Sequence, residues 1–143
     1  MDSEPPSDDE EANARYWENF KLRKTASRPV ANEPPQLVRV RALIDPEIQK
    51  YIYKRPGDGK SIVYVGINIK DGKGYVGKHS DGDSHRSFAV SRKHDHEHPG
   101  ESNTSYFANS MRVHGPSSFR WFILWHGDDS QVNDMEHFWI SPA

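Results

Sequence analysis

The chain has 143 residues, enough for one domain, and a formal net charge of -2. It contains no cysteine, which excludes disulfide bonds, thiolate nucleophiles and cysteine-based zinc sites. No apolar run approaches the length of a membrane span, and the N-terminus lacks the pattern of a signal peptide. We therefore expect a soluble intracellular protein, cytoplasmic or nuclear, without a membrane partner.

The charges are distributed unevenly along the chain. Residues 1–12 hold six acidic residues and no basic one, whereas residues 13–55 hold ten Lys or Arg against four acidic residues. Proteins that bind nucleic acid are often basic throughout, and this chain is not. If the chain binds nucleic acid, segment 13–55 is the stronger source of attraction to the phosphate backbone.

The N-terminal part is predicted to lie outside the main domain. Hydrophobic residues make up 34% of the chain and charged residues 28%, a polar balance that indicates a segment without a core. Residues 1–36 are acidic and then proline-containing, and predict a disordered tail. Residues 37–57 are predicted to be a basic extension. In it, QLVRVRALI (36–44) alternates like a strand, and DPEIQKYIYK (45–54) begins a helix capped by Asp45.

Residues 58–143 predict a small α+β domain. SIVYVGINI and GYVGK have the β-branched and aromatic content of strands, and KDGKG between them forms a hairpin turn. The later elements are predicted as a helix over 82–98, a helix over 102–113 capped by Ser102 or Asn103, a strand over 119–127 and a helix over 131–140. The order is β-β-α-α-β-α, with a central antiparallel sheet flanked by helices.

The hairpin carries a doubled Tyr-Val-Gly motif, at Tyr64-Val65-Gly66 and Tyr75-Val76-Gly77. Tyrosine is common in strands, and two aromatic residues on paired strands often serve packing alone. Alternatively, both hydroxyls point to one face of the hairpin and reach the same ligand.

In their order along the chain, these elements resemble the GIY-YIG endonuclease family, over roughly residues 58–141. Ile62-Val63-Tyr64 followed by Asn68 is similar to the first motif, and Tyr75-Val76-Gly77 is similar to the second. HGPSSFRWFIL resembles the family's glycine-Phe-strand segment, and MEHFWI resembles the segment that carries its single glutamate, here Glu136. The resemblance implies a metal-dependent DNA endonuclease.

The resemblance also implies a role for each of these residues. Tyr64 would orient or deprotonate the attacking water, and Tyr75 would assist in binding water or phosphate. Glu136 would bind Mg²⁺ or Mn²⁺, since Mg²⁺ keeps many of its waters and needs few carboxylates. A free tyrosine has a pKa of about 10, so a nearby cation or metal must favour its phenolate.

An arginine that clamps the phosphate is expected on the helix after the hairpin. Arg92 has His96 four residues later on the same helical face, which resembles the family's Arg-x-x-x-His pairing. We favour Arg92 with His96 as catalytic residues and keep Arg86 as the second choice, or as a phosphate contact. A solvated basic helix face is the alternative explanation.

Two residues directly after the second motif, Lys78 and His79, lie at the expected mouth of the site and are candidates for contact with the DNA backbone. As exposed residues at a hairpin end, they need no function. The histidine-rich HDHEH (94–98) offers a zinc alternative, because His94 and His98 share a helical face. A polar helix end before Pro99 is the simpler explanation.

Three functional hypotheses follow from the sequence. The first is the endonuclease, which cuts one strand per active site, so that cleavage of a duplex needs a homodimer or sequential nicks. The second is a catalytically inactive DNA-binding module on the same fold. The third is a protein-interaction domain whose basic segment 13–55 docks on a partner. Mg²⁺-dependent cleavage separates the first from the others.

Overall fold

A computed structural model describes residues 34–140 of the chain. The predicted disordered tail lies almost entirely outside these residues. The elements follow one another as α1 (Pro35–Leu43), a 3-10 helix (Pro46–Ile52), β1 (Lys60–Asn68), β2 (Gly74–Ser80), α2 (Asp81–Ser84), α3 (Arg92–Glu97), α4 (Tyr106–His114), a short 3-10 helix (Pro116–Ser118), β3 (Phe119–Asp128) and α5 (Asp129–Ile140). Within residues 34–140, no helix combines the length and apolar character needed to cross a bilayer.

The three strands form one antiparallel sheet in the order β2-β1-β3, flanked by helices, which confirms the predicted α+β class. The hairpin is also confirmed, with Tyr64 opposite Gly77 and Gly66 opposite Tyr75. At the turn, Gly72 adopts a φ of 76°, a conformation that glycine reaches without steric cost. The central strand β1 is buried from Ser61 onward because the outer strands and the helices on both faces cover it.

The two faces of the sheet bury different kinds of side chain. Side chains alternate along β1, so that neighbouring residues belong to opposite faces. One face, which we call the aromatic core, contains Ile52, Tyr53, Ile62, Tyr64, Phe88, Met111, Phe119, Trp121 and Ile123. The other, the aliphatic core, contains Leu37, Val63, Val65, Ile67, Phe122, Leu124 and Val132.

The predicted extension 37–57 is integral to these cores, and its first element is a helix rather than the expected strand. Pro35 stands in the first turn of α1, where proline favours a helix. Leu37 is fully buried in the aliphatic core, and Val40 and Ile44 pack against it. Spacings of three and four residues place these three side chains on one helical face, which the alternation of apolar and basic residues concealed.

The 3-10 helix that follows begins as predicted, because Asp45 accepts a hydrogen bond from the Glu47 amide at 2.9 Å. Its buried Gln49 pairs with the free edge of β3. The Gln49 amide donates to the Ile123 carbonyl at 2.7 Å and accepts from the Ile123 N–H at 2.8 Å. One side chain thus satisfies two buried backbone groups that have no neighbouring strand.

The single helix predicted over 82–98 is wrong, because the chain forms α2 and α3 with an irregular segment between them. His85 ends α2 in the left-handed conformation, with a φ of 52°. The segment then turns inward, which buries Phe88 completely, and the Ala89 N–H donates to the Ile52 carbonyl at 2.8 Å. Burial of Phe88 in the aromatic core therefore outweighs continuation of the helix.

The remaining elements agree with the predictions apart from their boundaries. Helix α4 is capped by Ser105, which accepts from the Ala108 amide at 3.2 Å, rather than by Ser102 or Asn103. As expected, Met111 is buried and Phe107 packs against the aromatic core. Strand β3 and helix α5 lie where the sequence placed them.

Candidate active site

Tyr64, in the middle of β1, lies at the centre of the candidate site. Its side chain is only 2% exposed and packs against Phe88, with 4.2 Å between ring centroids. Space for the ring comes from Gly77 on the neighbouring strand. A Cβ atom at Gly77 would stand 2.5 Å from the Tyr64 hydroxyl oxygen and 2.6 Å from Cζ. The glycine of the second Tyr-Val-Gly therefore lets the tyrosine of the first lie across β2.

The Tyr64 hydroxyl forms a hydrogen bond with Nε2 of His96 on α3, at 2.8 Å. The His96 ring is half-buried and stacks against Trp121, with 5.8 Å between centroids and 17° between planes. These contacts fix the imidazole beside the phenol. The predicted His96 thus lies at the site and contacts the first tyrosine directly.

Burial and three neighbouring groups shape the electrostatics around Tyr64. Burial raises the pKa of Tyr64 and Tyr75 adds to that effect, while Arg92 opposes it and Glu136 reinforces it. Because these influences fall off with distance, Tyr75, Arg92 and Glu136 all lie within electrostatic reach of the same hydroxyl. The structure therefore brings together residues from β1, β2, α3 and α5 that the sequence singled out separately.

His96 is neutral near physiological pH. Burial, followed by the positive charge of Arg92, lowers the pKa of His96 from 6.5 to about 4. A neutral imidazole hydrogen-bonded to a phenol is a proton acceptor when its Nε2 carries no proton. A nearby cation was expected to lower the pKa of Tyr64 and favour its phenolate. Arg92 does act in this direction, but burial has the larger effect and keeps the proton on Tyr64.

Of the two candidate arginines, Arg92 is the one that faces this cluster. Its charge acts on Tyr64, His79 and His96, and its guanidinium lies 3.3 Å from the Asp83 carboxylate. That ion pair is half-exposed at both ends, so it is readily exchanged for another anion. Arg86 is exposed, and its backbone carbonyl accepts a hydrogen bond from Nε2–H of His79 at 2.7 Å.

Glu136 reaches the site from α5, whose Val132, Met135 and Trp139 pack in the aliphatic core on the opposite face. The helix contacts both β1 and the edge strand β2. The Glu136 side chain is half-buried, and no Lys or Arg among residues 34–140 forms a salt bridge with it. Because its charge acts on the Tyr64 hydroxyl, a Glu136 carboxylate without such a salt bridge suits a divalent cation that also binds a phosphate.

A second group of acidic and histidine side chains lies away from this site. Within the described residues, only Asp58, Asp81 and His85 form a cluster of three that could share a metal. Arg55 already binds the Asp81 carboxylate through two hydrogen bonds of 2.9 and 2.6 Å, and it lowers the pKa of Asp81 to about 2. The arrangement is that of a structural ion pair.

The histidines of HDHEH separate into two groups. His94 and His98 lie side by side on α3, with 4.4 Å between ring centroids, and both are exposed. His96 instead points to Tyr64. Among residues 34–140, no third ligand accompanies His94 and His98, so the zinc alternative has no further support.

Tyr75 occupies a position different from that of Tyr64. It is 37% exposed, and its ring stacks on Phe107 at 4.6 Å and meets the edge of His96 at 5.0 Å. The two tyrosine rings are 6.5 Å apart. Tyr75 therefore borders both the buried hydrogen bond and the solvent.

Of the two residues that follow the second motif, only Lys78 is exposed. Its amine forms a hydrogen bond with Asn133 of α5. His79 is fully buried, which corrects the expectation of an exposed residue at the mouth of the site. Its Nε2 pairs with the Arg86 carbonyl, so His79 anchors the segment that leads to Arg92. Alternation places it on the same face of β2 as Gly77 and Tyr75, whereas Lys78 lies on the opposite face, towards α5.

Sequence reasoning missed two contributors to the site. Asp83 pairs with Arg92, and Phe88 forms the wall behind Tyr64. Phe88 is the only aromatic residue between the hairpin and Pro99, a signal that marks an inward turn in an otherwise polar segment. The Asp83 pairing depends on the break between α2 and α3 and has no local signal.

Comparisons with protein-family models, curated proteins and solved structures found no match to this chain.

Proposed function

We propose that this chain is a metal-dependent DNA endonuclease that hydrolyses phosphodiester bonds. The observation that carries the proposal is the hydrogen bond of 2.8 Å between the buried Tyr64 hydroxyl and His96, with Tyr75 packed beside both rings. The charges of Arg92 and Glu136 act electrostatically on the same hydroxyl. Hydrolysis of a phosphodiester needs a water that loses a proton, a cation that binds the phosphoryl oxygens and stabilisation of the leaving oxygen. The cluster offers a group for each requirement.

Tyr64 and His96 act on the attacking water as a pair. The water donates to the Tyr64 oxygen, and Tyr64 donates to Nε2 of His96. As the water attacks phosphorus, its proton passes to Tyr64, and the proton of Tyr64 passes to His96. No free phenolate forms, which agrees with the raised pKa of Tyr64. The incoming phosphate offsets the field of Arg92, which makes His96 a stronger base at that moment.

Arg92 exchanges Asp83 for the phosphate, and its planar guanidinium binds two phosphoryl oxygens. Glu136 would hold the divalent cation, which would supply positive charge to the phosphoryl and leaving oxygens. Tyr75, exposed beside Tyr64, donates to a phosphoryl oxygen or orients the water. The bond from phosphorus to the leaving oxygen breaks, and that oxygen takes a proton from a water.

A plasmid-nicking assay tests the proposal. We compare the wild-type protein with Glu136→Gln and with Asp134→Asn, which removes the same charge from an exposed position on the same helix. Nicking should require Mg²⁺ or Mn²⁺, fall at least about 100-fold in Glu136→Gln and remain near wild type in Asp134→Asn.

Absence of nicking, with supercoiled plasmid, single-stranded DNA and branched DNA and with either metal, would overturn the proposal. Retained, salt-sensitive DNA binding in that case would identify a binding module, because phosphate contacts release counterions whether or not cleavage follows. Neither cleavage nor binding would favour the protein-interaction domain.

A further inference from the structure

A pocket of about 440 Å³ adjoins the candidate active site between β2, α3 and α4. Tyr75 and His96 line it, so it opens directly from the cluster around Tyr64. Its other walls include Lys73, Asp95, Tyr106 and Phe107, which have no place in the hydrolytic step. A group bound in this pocket and a phosphate bound by Arg92 could therefore belong to the same nucleotide.

The pocket has an aromatic floor and rim. Tyr75 and Phe107 stack on each other, with 4.6 Å between centroids and 21° between planes, and both rings line the pocket. Tyr106, 64% exposed, stands at the rim, with the Lys73 amine 5.2 Å from its ring centroid. An exposed aromatic ring is a stacking platform for a nucleobase, because every base offers a face to it.

The charges around the pocket favour a base over a phosphate. Asp95 lies in its wall and repels a phosphate, whereas its carboxylate accepts hydrogen bonds from the amino groups of a base. Lys73 lies at the rim, where its amine donates to the Tyr106 hydroxyl at 3.0 Å. A cation at the rim and an anion in the wall suit a nucleotide whose base enters the pocket and whose backbone stays outside.

We propose that this pocket is a nucleobase subsite, and that the substrate is DNA in which the base next to the scissile phosphate is unstacked and unpaired. The inference rests on the proposed nuclease function and specifies its substrate class. A base inside the pocket cannot pair with a complementary strand. Extraction of a paired base costs a few kcal/mol, so a single-stranded or flapped segment binds better than a continuous duplex.

Binding without metal tests the subsite separately from catalysis. The probe is a short single-stranded oligonucleotide with one 2-aminopurine, whose fluorescence falls when it stacks on an aromatic ring, and the comparison is the same oligonucleotide in a blunt duplex. The variants are Tyr106→Ala and, as a matched control, Val113→Ala, which truncates another strongly exposed residue of α4. Both side chains are exposed, so both variants should fold.

We expect quenching and tighter binding for the single strand, and a loss of about 5- to 150-fold in Tyr106→Ala, the range for one base stacked on an aromatic residue. Val113→Ala should bind within about twofold of wild type. Equal affinity for the blunt duplex, or unchanged binding by Tyr106→Ala, overturns the subsite even if nicking is metal-dependent. Tyr106-dependent quenching without any cleavage supports the subsite and rejects the proposed hydrolysis.

Discussion

The two faces of the sheet share one central strand but differ in composition and in chemistry. Five of the nine residues of the aromatic core are aromatic, against one of the seven in the aliphatic core. The aromatic core contains Tyr64, and His96 and Tyr75 pack at its margin. The aliphatic core consists almost entirely of side chains without polar atoms. The same strand therefore borders one face that combines aromatic rings with polar groups and another whose core is apolar.

If the proposed function is right, this difference separates the side chains that stabilise the domain from those that act in hydrolysis. Aliphatic side chains stabilise the fold through buried apolar area alone, roughly in proportion to that area. Tyr64 also buries its ring, but its hydroxyl needs a partner there, and His96 supplies it. The aromatic core combines packing with a hydrogen bond between polar groups, and the proposed hydrolysis uses that hydrogen bond.

The largest expected effects are opposite on the two faces: one substitution mainly lowers stability, and the other mainly lowers the rate of nicking. Phe122→Ala in the aliphatic core should lower the free energy of unfolding by about 3–5 kcal/mol, because it leaves a cavity. Tyr64→Phe should lower the rate of nicking at least about 100-fold and change stability by about 1 kcal/mol, the value of one hydrogen bond. Urea denaturation and the nicking assay measure the two. Equal losses of stability would contradict the division of roles.

The second prediction tests the arginine assignment. Arg92→Ala should reduce nicking at least about 100-fold, because it removes the only guanidinium that acts on both Tyr64 and His96 within the described residues. Arg86→Ala keeps the backbone carbonyl that pairs with His79 and should change the rate much less. A greater loss in Arg86→Ala would transfer the phosphate contact to Arg86.

The third prediction concerns the glycine between the two tyrosines. Gly77→Ala places a methyl group against the Tyr64 phenol, and the resulting displacement should destabilise the protein by about 1–3 kcal/mol and reduce nicking. Gly82→Ala is the control, because its new Cβ would lie 3.8 Å from the Ser80 hydroxyl, an ordinary van der Waals contact. Wild-type nicking by Gly77→Ala would show that the position of Tyr64 does not matter.

Much of the sheet could be predicted from the sequence. β-Branched and aromatic runs with a glycine turn specify the hairpin locally, and β3 is equally apolar. The strand predicted for residues 36–44 was wrong, because the alternation of apolar and basic residues also fits a helix. In that helix the apolar face consists of Leu37, Val40 and Ile44. Only the packing of these residues on the sheet distinguishes the two structures.

The candidate residues Tyr64, His96 and Arg92 were named through the family resemblance, but their arrangement could not be predicted. The hydrogen bond between Tyr64 and His96 depends on the break between α2 and α3. That break follows from the burial of Phe88, a tertiary effect. The pocket beside Tyr75 likewise arises where α3, α4 and β2 meet, and no single segment encodes it.

The smallest expected effect is the pH dependence of stability on the aromatic side. Burial lowers the pKa values of His79 and His96, that of His96 from 6.5 to about 4. The unfolded chain therefore binds more protons between these values, and stability is complete above pH 6.5 and declines as the pH falls toward 4.

At about pH 5 the loss due to His96 should be about 1 kcal/mol after allowance for its partial exposure. His96→Gln keeps a polar partner for Tyr64 and cannot titrate, so its melting temperature should fall less than that of wild type between neutral and mildly acidic pH. Gln replacement of His94, which is exposed on the same helix, is the control and should follow wild type. Parallel curves for wild type and His96→Gln would mean that His96 is protonated as easily in the folded protein as in the unfolded chain. The assignment of a neutral His96 as the acceptor of the Tyr64 proton would then be wrong.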